Sequence, residues 1–259
     1  NPADSSISGW NGITYRLSAL GSRPSAMRGL QIDLQMPLVM DSVIHGGKPL
    51  KFRRDGNAFF VSMPAQPAAA RQSVKVYYHG KPRAARRAPW DGGFVWQRDS
   101  VGNRYIATAN QGLGASVWWP NKDWSGDERD SQRVAITVPD SLMNISNGRL
   151  RSVEHNSDGS TTWEWFVRNP INNYGISVNA ARYAPFSQIY QGERGPLTMD
   201  FYPLAIHLDT ARVQFAQAIP MMACFEHWFG PYPFYEDGFK LIETPHLGME
   251  HQSAVAYGN

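Results

Sequence analysis

The sequence predicts a mainly β protein, with a β-sandwich or curled sheet over residues 1–207 and the start of a second domain over residues 208–259. Three observations carry this. Short runs alternate apolar with polar residues at period two, the mark of strands with one buried face. Turn dipeptides rich in glycine separate those runs. No amphipathic stretch of helix length interrupts them before Asp209.

In chain order, the first strands are expected at Ile13–Leu17, Leu30–Leu34, Phe59–Val61 and Val74–Tyr78, with turns at Gly46-Gly47 and Asp55-Gly56 between them. Asp91-Gly92-Gly93 supplies a further turn. Strands are then expected at Arg133–Val138, Thr162–Phe166 and Ile176–Ala180. Asn147-Gly148 reads as a turn, and Asp158-Gly159 between two strand-like runs reads as a hairpin.

The pattern changes at Asp209, a plausible N-cap. Thr210 to Phe229 carries a helical stripe through Phe215, Ile219, Met222 and Phe225–Phe229, with Pro220 expected to kink it and Gly230-Pro231 to end it. Phe239–Glu243 and Ser253–Tyr257 read as strands. One helix and two strands cannot close a core alone, so this portion is expected to be an incomplete domain. The chain has no initiator Met and no signal peptide, and is read as a processed or excised segment.

Composition narrows the function classes. Hydrophobic residues make up 42% and charged residues 18%, which argues against disorder and for a full core. The net charge is +3. The densest basic stretch, Lys81, Arg83, Arg86 and Arg87, is not interleaved with aromatic residues and matches no nucleic-acid motif, so a solvated loop is expected and no nucleic-acid partner. No run approaches the roughly eighteen apolar residues of a membrane span. Cys224 is the one cysteine, so an internal disulfide is excluded; its apolar neighbours predict a buried thiol.

Nine tryptophans draw attention to Trp118-Trp119-Pro120 and nearby Trp124. These residues fit either an aromatic platform for a sugar or peptide or, the favoured reading, core packing. Trp163 and Trp165 read as structural. His246, Glu250 and His251 are candidate metal ligands, with Cys224, Glu226 and His227 on the helix. Helical zinc sites place His at i and i+4, however, and no His-Glu-x-x-His occurs. His227 is accounted for by the helix C-terminus, whose dipole favours it. No nucleophile elbow and no phosphate loop is present.

The final stretch, "GPYPFYEDGFKLIETPHLGMEHQSAVAYGN", resembles the aminopeptidase-N-like zinc metallopeptidases, the gluzincin family that includes the leukotriene hydrolases. The family's exopeptidase motif is Gly-x-Met-Glu-Asn. Here it reads Leu247-Gly248-Met249-Glu250-His251, with Leu247 in place of the first Gly and His251 in place of Asn. Upstream, "NQGLGASVWWPNKD", "VAITVPDSLMNISNGRL" and "NPINNYGISV" are similar to the family's segments at corresponding places, so the likeness covers nearly the whole chain.

The resemblance implies a saddle-like β-sandwich N-terminal domain over 1–207, then the truncated start of a thermolysin-like α/β catalytic domain over 208–259. It implies that Glu250 grips the free α-ammonium of a peptide substrate. Gly248 and Met249 would lie along the peptide, and Gln111 would join Glu250 beside the ammonium. A carboxylate at a dead end distinguishes a chain end from a chain middle by charge-assisted hydrogen bonding. Zinc and a general-base Glu would supply the hydrolysis. Both are expected beyond this chain, in the catalytic domain of the same parent, so no metal and no activity are expected here. A secreted or periplasmic address is expected. The rival is a non-catalytic β-sandwich module taking glycans or peptides on Trp118-Trp119.

Overall fold

The computed structural model describes residues 1–16, 29–66, 71–124 and 126–258; Leu17, at the end of the first expected strand, and Asn259 lie outside them. The chain is mainly β, as its alternation predicts, and divides into two compact units. The first unit comprises Asn1–Ala84 and Leu113–Trp124; the second comprises Ala85–Gly112 and the chain after Trp124.

In the first unit the strands are β1 (Ile7–Arg16), β2 (Gly29–Asp33), β3 (Val39–His45), β4 (Lys48–Pro49), β5 (Phe52–Asp55), β6 (Ala58–Ser62) and β7 (Arg71–Gly80). They form two antiparallel sheets, β1-β7-β3-β4 and β2-β6-β5. The period-two alternation is realised directly: on β7 the buried residues are Val74, Val76 and Tyr78. Gly46 and Gly47 both sit at positive φ, 55° and 77°, which the tight turn from β3 to β4 requires. Trp118 and Trp119 belong to this unit and are each only 6% exposed. The core-packing reading therefore holds, and the platform they would offer a ligand is closed. Trp124 is exposed.

The second unit holds β8 (Gly93–Arg98), β9 (Arg104–Ala109), β10 (Gln132–Pro139), β11 (Met143–Ile145), β12 (Arg149–His155), β13 (Ser160–Val167), β14 (Asn179–Ala181), β15 (Phe186–Gly192) and β16 (Gly195–Tyr202). After them come helices α1 (Leu208–Gln214) and α2 (Ala218–Phe229) and strands β17 (Phe239–Glu243) and β18 (Val255–Tyr257). The sheets are β11-β14-β9-β8, β10-β13-β12 and β15-β16-β17-β18. Asp158-Gly159 makes the β12–β13 hairpin, as expected. Trp165 is buried on β13 and Trp163 half-buried. The expected strand Ile176–Ala180 shortens to Asn179–Ala181, because the preceding backbone bonds to side chains instead of a ladder. Ser177 N donates to Asn147 Oδ1 and Val178 N to Thr108 Oγ1.

Strands on both sides of residue 207 share the last sheet, where β16 pairs with β17 and β17 with β18, all parallel. With β15 and β16 in place, the helices do close a core, made of Leu197, Met199, Phe201, Ala211, Phe215, Ala218, Met222 and Phe239. The expected single helix is interrupted by a 3-10 turn at Phe215–Gln217, ahead of Pro220. Pro220 lies in the first turn of α2, where a missing N–H breaks no helical bond. Asp209 lies in the first turn of α1, not at its N-cap, which is His207.

The buried face of α2 runs Ala218, Met222, Glu226, so Cys224, two positions past Met222, projects the other way and is exposed, contrary to expectation. The same geometry leaves Phe225, Trp228 and Phe229 exposed. Glu226 is a charge facing inward, and four donors receive it. Tyr235 Oη and Tyr232 N donate to Oε1 at 2.7 and 2.9 Å, and Tyr190 Oη and Glu193 N to Oε2 at 3.0 Å each. Burial pushes this carboxyl up, but those donors outweigh it and hold it below the ordinary range. No helix among the described residues is long and apolar enough to cross a membrane. Arg86 and Arg87 lie in an exposed turn capped by Asp91, which accepts from both backbone N–H groups at 2.7 and 2.9 Å.

Candidate functional site

The run Gly248–His251 lies at the start of a short loop closed by Met249 and Ala256, which exchange both backbone bonds (Met249 N to Ala256 O, 3.2 Å; Ala256 N to Met249 O, 2.9 Å). The Met249 side chain is buried against Ala109 and Ala256. Its backbone is engaged within the loop, whereas Gly248 is exposed, with Ala256 O 3.1 Å from where a Cβ would stand. Ala109 ends β9, and Gln111 follows it by two residues. Packing Met249 on Ala109 therefore brings Gln111 and Glu250 together across 139 positions of sequence: Gln111 Nε2 donates to Glu250 Oε1 at 3.0 Å. Three of the four residues singled out from the sequence thus converge on one place, and the fourth, Gly248, adjoins it.

A further residue joins them. Tyr174 Oη donates to the same Glu250 oxygen at 3.2 Å. Partial burial and the neighbouring Glu250 charge push this phenol up, which keeps it a proton donor. Among the described residues Glu250 Oε2 has no hydrogen-bond partner, and the side chain is exposed. The result is a carboxylate steadied on one oxygen and open on the other. The sequence marked Tyr174 only as part of the quoted segment NPINNYGISV, just ahead of an expected strand.

Loops on two sides are tied to a single turn. Asn147, fully buried, donates from Nδ2 to Gln252 O at 2.6 Å and to Gly175 O at 2.7 Å. Gly148 N donates to Ser253 Oγ at 2.8 Å. Ser253 itself has φ +56°, a left-handed conformation that a β-carbon disfavours and that this bond helps hold. Gly148 has φ +76°, and a Cβ there would fall 2.0 Å from Phe166 O, so no other residue fits. From β17, the buried Lys240 donates Nζ to Gly148 O beneath the ring of Trp165. Burial pulls this ammonium down to about 7, against the opposing pull of Asp200.

Two buried histidines flank the motif. His246 Nδ1 lies 2.6 Å from Leu247 O; its Nε2 and both nitrogens of His251 have no hydrogen-bond partner among the described residues. Burial and the nearby His246 push His251 down to about 3, so it is neutral. Burial lowers His246 too, partly offset by the Leu247 bond. These residues do not fit a zinc site. One donor atom is taken, and no third His, Cys, Asp or Glu joins the pair to make a metal set among the described residues.

The chain is similar to the M1 zinc metallopeptidase from Deinococcus radiodurans, with a TM-score of 0.80 and 17% identity over 98% of this chain and 56% of that one. It is likewise similar to a mutant from that organism bound to a Tyr-Ser-Ala substrate (TM-score 0.79) and to a two-domain M1 zinc metallopeptidase mutant bound to L-arginine (TM-score 0.80), with the same identity and coverage. At this identity the likeness is one of fold. The chain spans little more than half the length of these structures. No protein-family model and no curated protein sequence matches it.

Proposed function

We propose that this chain is the N-terminal part of a zinc aminopeptidase and supplies the residues that read a peptide's free N-terminus. The observation that carries the proposal is the carboxylate of Glu250, exposed, fastened through Oε1 by Gln111 and Tyr174, and open at Oε2. An α-ammonium is a compact triple donor that matches such an acceptor by charge-assisted hydrogen bonding. Gly248 supplies exposed backbone beside it for the rest of the peptide, and Met249 forms the wall that sets Glu250's position. The zinc ligands and the general base belong to the remainder of the parent. A zinc ion held there would supply the polarisation of the scissile carbonyl and the activation of water. This chain by itself is expected to be inactive.

The outer face of α2 supports a larger parent. Trp228 is 72% and Phe229 84% exposed, beside Phe225 and Met221, and clustered large apolar side chains of this kind ordinarily cover another surface. The catalytic remainder of the same parent is the partner proposed for it.

The test is Glu250→Gln in the parent enzyme. Removing one member of such a charge pair costs on the order of 2–5 kcal/mol, about 30- to several-thousand-fold in kcat/KM. The loss is expected on peptides with a free amine, so that preference over N-acetylated peptides collapses while zinc content is unchanged. Loss of the metal, or equal slowing of free and blocked peptides, would show that Glu250 has another role.

A further inference from the structure

We infer that Tyr174 is a positioning residue for N-terminus recognition, acting through Glu250, and that the Asn147-Gly148 turn sets the distance between them. This rests on the function proposed for Glu250. A carboxylate held by one donor swings about its Cγ–Cδ bond. Held at the same oxygen by two donors from different segments, it has one orientation, and its second oxygen points where neither donor reaches. Gln111, following β9, and Tyr174, on the loop before β14, are those donors, at 3.0 and 3.2 Å.

The two sides of the Tyr174–Glu250 contact are fastened by one side chain. The Asn147 amide bonds Gly175 O, next to Tyr174, and Gln252 O, two residues past Glu250. Its Oδ1 accepts from Ser177 N at 2.8 Å, which prevents the amide from rotating away from either. Gln252 Nε2 adds a second tie to the Tyr174 side of the site, donating to Pro170 O at 3.0 Å. Gly148 N, through Ser253 Oγ, locks the far end of the loop carrying Glu250.

The experiment is a double-mutant cycle in the parent enzyme with Tyr174→Phe, Glu250→Gln and both together, assayed on one free-amine peptide and its N-acetylated form. Tyr174→Phe keeps the ring and removes one solvent-exposed hydrogen bond, for an expected loss of about 2- to 13-fold in kcat/KM on the free-amine peptide, carried mainly by KM. In the Glu250→Gln background the same change is expected to do nothing further, because the group it orients is gone. The blocked peptide is expected to be unaffected. Equal losses in both backgrounds, or on both peptides, would make Tyr174 a structural residue and overturn the inference. So would an unchanged KM alongside a normal Glu250→Gln defect. If Glu250→Gln itself leaves the preference for free amines intact, the Glu250 reading fails and this inference goes with it.

Discussion

Trp118-Trp119 and Gly248–His251 are the two runs whose composition most invites a binding role, and the fold treats them in opposite ways. The tryptophans are enclosed, each only 6% exposed. In the second run Met249 and His251 are buried, while Gly248 and Glu250 are left in solvent. Large aromatic surface is itself a reason for burial, since enclosing it stabilises the fold whatever else it could do. An ionised carboxylate is driven outward unless donors hold it. When Glu250 is both exposed and held by two donors, its position is specified beyond what folding requires. Residue type suggested both runs; exposure together with fastening separates them.

Three measurements on this chain test that contrast. The largest effect is expected at the tryptophans. Trp118→Ala and Trp119→Ala should each lower stability by about 3–5 kcal/mol, read as a shift in the urea midpoint. Normal unfolding with lost oligosaccharide binding would restore the platform reading and undo the comparison.

Next comes His251, the buried half of the second run. Its native pKa of about 3 lies below the ordinary imidazole value, so the unfolded chain binds the proton more readily. Its contribution to stability is complete above the unfolded value of about 6.5 and is lost as pH falls toward 3, with a slope approaching about 1.4 kcal/mol per pH unit. His251→Asn removes the titration. Between pH 6.5 and 5 the wild type should lose about 1.5 kcal/mol more than the variant, measured by denaturant unfolding at each pH. Parallel curves would mean that His251 is not enclosed as described.

The smallest effect is expected at Glu250. As an exposed side chain outside the core, Glu250→Gln should change stability by no more than about 0.5 kcal/mol. A loss comparable with that of a tryptophan variant would make Glu250 a structural residue and remove the distinction on which its proposed role depends.

Much of this was legible in the chain. Period-two runs located β7, β10 and β13, and Asp158-Gly159 located a hairpin, because alternation and turn chemistry are local properties. The Gly248-Met249-Glu250 run pointed to Glu250, and the likeness to a known segment pointed to Gln111. Other features were not legible. The inward face of α2 passes through Glu226 and leaves Phe225 and Phe229 outside, and apolar residues around the whole helix hide that choice. Cys224 was misplaced for the same reason. Tyr174 stands 76 positions from Glu250, and nothing in either segment announces the other.

Strands, turns and the chemical identity of the groups at the motif depend on neighbours within a few residues, so the chain alone carries them. Which of those groups meet was settled by the folded chain. It packed Met249 on Ala109, used the Asn147 amide to join the backbones at Gly175 and Gln252, and thereby set two donors on one oxygen of Glu250. The reason is physical. Buried polar groups must find partners wherever the folded chain supplies them, and that search is long-range in sequence while being only about 3 Å long in space.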